Sequence, residues 1–362
     1  MFHNKTLADS LSEKRNSFNL IRLAAALSVL ISHAYVLVGQ SEMQPLRDWT
    51  SYTIGQHAVN IFFVLSGLML TQSLIRDPNL WNFVTARILR IFPALFGFGL
   101  FFSFLLGPLL TTVELGAYFS DAHTYSYPID LLFRFHEAQP PHGIFTGLPV
   151  PGVVNDSLWT IRYELLAYAA LVIMFVLGVA KTRLGSLLCL AGMMAALAVI
   201  NAGWTGGLHT PLEQLCRYAV CFLIGVNLFH GKDQITTRWW PLLATFAFAY
   251  LVSGTAFAPL GAILLAAHLT ISIGSRSFGA LTRWTSKDDI SYGTYIYGWP
   301  TQQVLLTFFP TLTPIVFAIA SMAITPIFGA LSWILVEKPA LGLKKRLRRP
   351  TAVARIGAEA YH

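Results

Sequence analysis

Long apolar stretches, each about the length of a bilayer crossing, recur along this chain. A helix needs about 20 apolar residues to cross the hydrocarbon core. Segments near 18–39, 56–75, 86–110, 163–180, 184–201, 212–230, 237–253, 256–274, 290–309 and 314–336 fit that pattern. They predict an all-α polytopic membrane protein with about ten transmembrane helices. The seventh and eighth segments are separated only by SGTA, a tight turn between antiparallel helices. One connection is long: residues 111–162 carry many Pro, His and aromatic residues, and loops of that length are commonly functional. No internal repeat suggests the inverted halves of a transporter. The whole of 1–362 reads as one membrane domain that ends in a basic tail over 338–362.

Composition agrees: 55% of the 362 residues are hydrophobic and 12% charged, about half the charged share of a soluble domain. Mean hydropathy is +0.58. The placement of charge gives an orientation. With the N-terminus inside, twenty of the 25 Lys and Arg residues fall on cytoplasmic segments and helix ends. Three (Arg47, Arg134, Arg162) fall outside, and Arg22 and Arg217 lie within spans. Positive charge collects on the cytoplasmic side, so the pattern predicts an N-in, C-in topology. The net charge of +8 is therefore a membrane signal, and no nucleic-acid module or phosphate loop appears. The tail run KKRLRR suits anionic headgroups or simple topological anchoring. The first apolar run lacks a small-residue cleavage site and reads as a span, not a signal peptide. Cys189, Cys216 and Cys221 all sit in apolar segments and read as small core residues.

Several polar side chains inside the apolar runs call for a reason. Arg22 and His33 lie eleven residues apart in NLIRLAAALSVLISHAY. Helical geometry puts them on one face, about 16 Å apart along the axis. Each has an ordinary explanation, snorkelling to headgroups for the arginine and a helix–helix hydrogen bond for the histidine. Together they suggest a path through the bundle. In TARILRIFPAL, Arg87 and Arg90 share a face at the cytoplasmic end of the third span and could join Arg22 in a cationic mouth for a phosphorylated ligand. In VNDSLWTIRYELLAY, Glu164 enters the fourth span from outside, at an expected depth near that of His33. It reads either as a helix-dipole partner or as the carboxylate that supports the histidine. Arg162 pairs with Glu164 or holds a substrate. Asn155, Trp159 and Tyr163 suit an acceptor site, and the aromatics suit an interfacial belt equally. Ser66 lacks a neighbouring base and reads as packing. Tyr295, Trp299, Gln302 and Gln303 recur at helical spacing in the ninth span; they either glue helices or face a polar cavity, with Tyr295 a candidate oxyanion donor. His57, His123, His136, His142 and His209 show no zinc-like spacing, His136 with His142 being a weak signal, so no metal is expected.

The order RLAAALSVLISH, VNIFFVLSGLML, RILRIFPAL, SLWTIRYELLAY, ISYGTYIYGWP and VEKP resembles the integral-membrane acyltransferase-3 family, from about Phe18 to Pro339. The resemblance implies transfer of an acyl group, commonly acetyl, from cytoplasmic acyl-CoA to hydroxyls of a cell-surface carbohydrate or lipid-linked glycan. It implies a bacterial inner-membrane location. It makes His33 the catalytic histidine, Glu164 the essential carboxylate, and Arg22, Arg87 and Arg90 the family's arginines. The remaining candidates for substrate contact are Asn155, Trp159, Arg162, Tyr163, Tyr295 and Gln302. Two positions depart from the family pattern. Asn60 stands where many members have aspartate, and Gly298 where many have a second histidine, which argues against a two-histidine mechanism here. The rival expectation is a transporter or flippase for an anionic or lipid-linked substrate, moving it without acyl chemistry.

Overall fold

The computed structural model describes residues 5–13, 16–204 and 210–349; Lys14, Arg15, His209 and the tail from residue 350 onward lie outside them. No β-strand forms among the described residues. In chain order the principal helices are α1 (Phe18–Leu37), α2 (Ile54–Arg76), α3 (Leu80–Leu110), α4 (Ala122–Arg134), α5 (Trp159–Val176), α6 (Arg183–Val199), α7 (Pro211–His230), α8 (Trp240–Leu251), α9 (Ala258–Gly274), α10 (Ser291–Phe308) and α11 (Pro314–Ser332). Their starts are marked by side chains that take up orphaned amides. Thr53 and Gln56 cap α2 reciprocally, Thr182 caps α6, and Thr210 with Pro211 opens α7.

Every predicted apolar segment is helical, but the helices are not equivalent. Seven are long and apolar enough to cross a membrane: α1, α2, α3, α5, α6, α7 and α11. The helices α8 and α9 are apolar but only 12 and 17 residues long. The remaining one, α10, has 18 residues and buries Thr294, Thr301, Gln302 and Gln303, so its polarity faces the bundle. Exposed Leu, Ile and Phe side chains on α3, α5, α6 and α11 form the outer surface, as expected where lipid is the solvent.

At the centre, α2 is the most buried of the long helices and α6 the least. The cores of α2 and α7 touch backbone to backbone. A Cβ added at Gly67 would overlap the carbonyl of Phe222, and one at Gly225 would overlap that of Val64. Small residues at such crossings replace a hydrophobic driving force that lipid does not supply.

The long loop is not structureless. Within it α4 lies along α3, with Pro128 against Gly99 and the Tyr118 hydroxyl donating to the Ser103 carbonyl at 2.9 Å. The chain then descends beside α10. Gln303 Nε2 donates to the carbonyls of Val150 (3.0 Å) and Val153 (3.1 Å), and Trp299 Nε1 to Val153 (3.2 Å). Asn155 Nδ2 donates to Ile296 (2.7 Å), and the Tyr295 hydroxyl to Ser157 (2.8 Å). From Gln303 to Tyr295 this descent covers about 12 Å of helix axis. Helix α5 therefore begins deep in the bundle, lower than the sequence suggests.

Replacing Gly67 by alanine should lower the melting temperature of the detergent-solubilised protein by the equivalent of about 1–3 kcal/mol, because the two backbones cannot separate without opening the core. Gly116→Ala, at a site with open space around it, is the control. Equal melting of the two variants would contradict the close crossing.

Candidate active site

Five helices converge on a cavity of about 700 Å³, counted with its open mouth, lined among others by Arg22, Phe62, Ser66, Arg90, Thr160, Glu164, Tyr168, Tyr292 and Tyr295. Two of its arginines share one carboxylate. Asp289 Oδ2 lies 2.7 Å from Arg90 Nη2 and 3.3 Å from Arg22 Nη1. Its other oxygen accepts from the hydroxyl (2.5 Å) and amide (3.3 Å) of Ser291 at the start of α10. Arg90 also reaches Glu337 Oε2 at 3.3 Å and lies over the rings of Tyr292 and Trp333. Glu337 closes a π-helical turn, Trp333–Glu337, that continues α11, and it accepts a further bond from Ser332 (3.0 Å). Beside the mouth, hydrogen bonds from Lys338 and Trp333 hold the Asp288 carboxyl below the usual carboxylate range.

Arg87 is different. Its Nε is buried without a hydrogen-bond partner, and it has no ion pair among the described residues, although Tyr168 and Glu164 act on it through charge. Its guanidinium lies near the Phe83 ring, and the Arg87 side chain lines a neighbouring groove with Tyr168. The Tyr168 hydroxyl donates to Glu164. Asp289 and Glu337 thus answer Arg22 and Arg90, while no carboxylate among the described residues forms an ion pair with Arg87.

His33 lies higher on α1. Its ring meets Trp299 edge-on at 4.9 Å between centroids, and its sheltered Nδ1 has no hydrogen-bond partner. It forms no hydrogen bond with Glu164. The expected match in depth fails because the descending loop starts α5 low, which puts Glu164 in the cavity with Arg22 and Arg90. The Trp299 beside His33 is four residues, about 6 Å, above Tyr295 at the cavity wall.

Several expected substrate contacts make bonds within the fold. Pro300 has no N–H to give the carbonyl of Ile296, and the buried Asn155 amide supplies that bond instead. Gln302 is fully buried and joins the Leu30 carbonyl (2.8 Å) to Ser321 (3.1 Å), so it glues α10 to α1 and α11. Tyr295 commits its proton to Ser157 and sits 2.6 Å from the Thr160 hydroxyl, so it is not a free oxyanion donor in this arrangement. Arg162 does not pair with Glu164, which two residues along a helix place on another face. It pairs with Glu137 (2.9 Å) and lies 2.9 Å from His136 Nδ1. Burial and that guanidinium push the His136 imidazole below its ordinary pKa, which favours the neutral ring that can accept from Arg162. Trp159 and Tyr163 stack edge-on with each other and belong to an aromatic column with Tyr218 and Phe63. On the loop side, Tyr127, His136, Glu137, Gln139 and Asn155 line a polar recess.

The departure at Asn60 also has a structural reason. Arg217 and Glu213 form a fully buried pair at 3.0 Å, and Asn60 Oδ1 accepts from Arg217 at 3.0 Å. Tyr52 donates to Glu213 (3.1 Å) and, with Tyr218, faces the guanidinium. The pair is already neutral; an aspartate at 60 would add an unbalanced buried charge. At 298, a Cβ would overlap Leu30. The weak His136–His142 signal is not realised, since His136 turns to Arg162. Sequence reasoning missed Asp289, Glu337, Tyr168 and Tyr292. The signal for the two carboxylates was their place in DDISY and VEKP, charged residues bordering apolar runs.

The chain matches a family model, the acyltransferase-3 type described as an acyltransferase domain, over residues 15–334. It is 30% identical over 344 residues to the O-acetyl transferase of Shigella phage Sf6, an alignment that covers 90% of this chain and 96% of that protein. It is 24% identical over 377 residues to Nodulation protein 10 of Rhizobium leguminosarum bv. viciae, covering 93% and 96%. No solved structure gives a significant match.

Asn155→Ala should destabilise the fold by about 1–3 kcal/mol, the cost of an orphaned buried carbonyl. Adding Pro300→Ala restores an N–H for Ile296 and should return most of that loss, measured as the melting temperature in detergent. Additive losses in the double variant would show that Asn155 does not act through this carbonyl.

Proposed function

The chain belongs to the acyltransferase-3 family, and from that membership we propose that it is a membrane O-acyltransferase moving an acyl group from cytoplasmic acyl-CoA to a hydroxyl of an extracytoplasmic carbohydrate or lipid-linked glycan. The relative named an O-acetyl transferase supports acetyl as the group. The observation that carries the reading is the cavity lined by Arg22 and Arg90, with unpaired Arg87 nearby and His33 farther along the same helix as Arg22. The seven membrane-length helices support a bilayer setting, and the charge asymmetry of the sequence supports the sidedness, with the recess beside His136 facing out.

In this mechanism the donor's phosphates bind Arg87 first and share Arg22 and Arg90 with Asp289 and Glu337. The pantetheine arm rises along α1 over the roughly 16 Å between Arg22 and His33. The acceptor hydroxyl arrives from the loop side, with Arg162, Trp159 and Tyr163 near its route. His33 takes the hydroxyl proton as the oxygen attacks the thioester carbonyl. The tetrahedral intermediate collapses, the carbon–sulfur bond breaks, and the imidazolium returns its proton to the thiolate to give CoA. Glu164 acts from below through charge rather than a hydrogen bond. At an effective dielectric of about 20, a carboxylate about 10–15 Å from an imidazolium would favour it by about 1–2 kcal/mol.

The test is acyl transfer from labelled acetyl-CoA by the purified protein in vesicles, with release of free CoA thiol read in parallel. His33→Ala should reduce kcat by about 10²–10⁴-fold while retaining CoA binding. Arg87→Ala should raise the apparent KM for the donor about tenfold or more with little change in kcat. Full transfer by His33→Ala removes the mechanism. Flux of a substrate across the vesicle with no thiol release would favour the transporter instead.

A further inference from the structure

Away from the cavity, the long loop brings the imidazole of His142 back to a carboxylate and an imidazole that lie about twenty residues earlier, at Asp121 and His123. Asp121 caps α4. Its Oδ1 accepts from the His123 amide at 3.0 Å and lies 3.0 Å from His123 Nδ1. Its Oδ2 accepts from the His142 amide at 3.1 Å and lies 3.7 Å from His142 Nδ1. One donor atom from each of the three residues lies within 4.8 Å of the other two.

We propose that Asp121, His123 and His142 form a binding site for a divalent transition-metal ion of the Zn²⁺ type. Nitrogen and oxygen donors stand about 2.0–2.2 Å from Zn²⁺, which sets them roughly 3.3–3.6 Å from one another in a tetrahedron. The observed spacing closes to that set by small side-chain rotations. Two imidazoles and one carboxylate suit Zn²⁺, and Co²⁺, Ni²⁺ and Cu²⁺ by the same donor chemistry. The fourth position is left to water.

Two features go beyond coincidence of polar residues. The carboxylate is oriented by two backbone amides, which is the outer support that ligating carboxylates need. A hydrogen-bonded cap would require neither imidazole. Yet the His142 side chain, 71% exposed and free to point into solvent, turns its Nδ1 toward Asp121. The ion would tie residues 121–123 to residue 142 and so close the segment carrying His136, Glu137 and Gln139, which walls the polar recess. Its role is to brace that wall. The proposal does not depend on the acyl-transfer reading.

The experiment uses the full-length protein in detergent, stripped with chelator and titrated with Co²⁺, then Zn²⁺. One equivalent of Co²⁺ should produce the visible bands of a four- or five-coordinate site, and Zn²⁺ should displace it and raise the melting temperature. His142→Ala removes an exposed side chain whose backbone bonds remain, so it should fold and lose at least about tenfold in affinity. His123→Gln should do the same. Absence of the Co²⁺ bands in the unaltered protein overturns the site. So does binding of equal stoichiometry and affinity in His142→Ala.

Discussion

A guanidinium held inside an apolar bundle is stabilised by a carboxylate, and the pairing of Arg22 and Arg90 organises the centre of the molecule. Isolated, each buried charge would carry a desolvation penalty of several kcal/mol. Asp289 answers for Arg22 and Arg90 together, and Glu337 takes the rest of Arg90. Those four residues come from α1, α3, the start of α10 and the end of α11. The charge balance therefore fixes how these elements stand around the cavity. The π-helical turn Trp333–Glu337 belongs to the same solution: one extra residue per turn re-aims a side chain without ending the helix, and such turns gather at functional sites.

The backbone imposes the same rule on the other side. Pro300 leaves the Ile296 carbonyl without its helical partner, and only a side chain brought from elsewhere satisfies it. Asn155 does so, helped along the same track by Tyr295, Trp299 and Gln303. The loop is drawn down beside α10, and α5 starts where that descent ends. One missing N–H thus sets the depth of Glu164 and places it with the arginines. Asn155 and Tyr295, candidate substrate contacts in the sequence, are in space among the rails on which the loop runs.

That contrast marks what a sequence can reveal here. Apolar length located the seven helices of membrane length, since period and run length are local, while α8, α9 and α10, also expected to span, fall short by length or polarity. The shared face of Arg22 and His33 is also local, and α1 carries both. The spacing of Arg87 and Arg90 was legible, but not that Arg90 would be doubly paired while Arg87 stays free, because their partners lie about 200 to 250 residues away. α10 illustrates the converse. Its Thr and Gln residues make it too polar to qualify by hydropathy, although they face inward where polarity is satisfied. Asp121, His123 and His142 meet only because a loop folds back on itself, so spacing alone could not join them.

The separation of His33 from the charged cluster has its own logic on the acyl-transfer reading. A base must be neutral to accept a proton, and an uncompensated arginine about 16 Å away would oppose the imidazolium by about 1 kcal/mol at an effective dielectric near 20. Three such charges would be a serious handicap. The carboxylates that stand among those arginines, Asp289 first, oppose that field. A polyanionic donor seated on Arg87 then tips the balance: its phosphates add negative charge below, and the imidazolium formed during attack becomes easier to hold. On that account the free arginine does more than bind. It makes the presence of donor a condition for full basicity at a residue it never touches, so an acceptor hydroxyl arriving early meets a weaker base and waits.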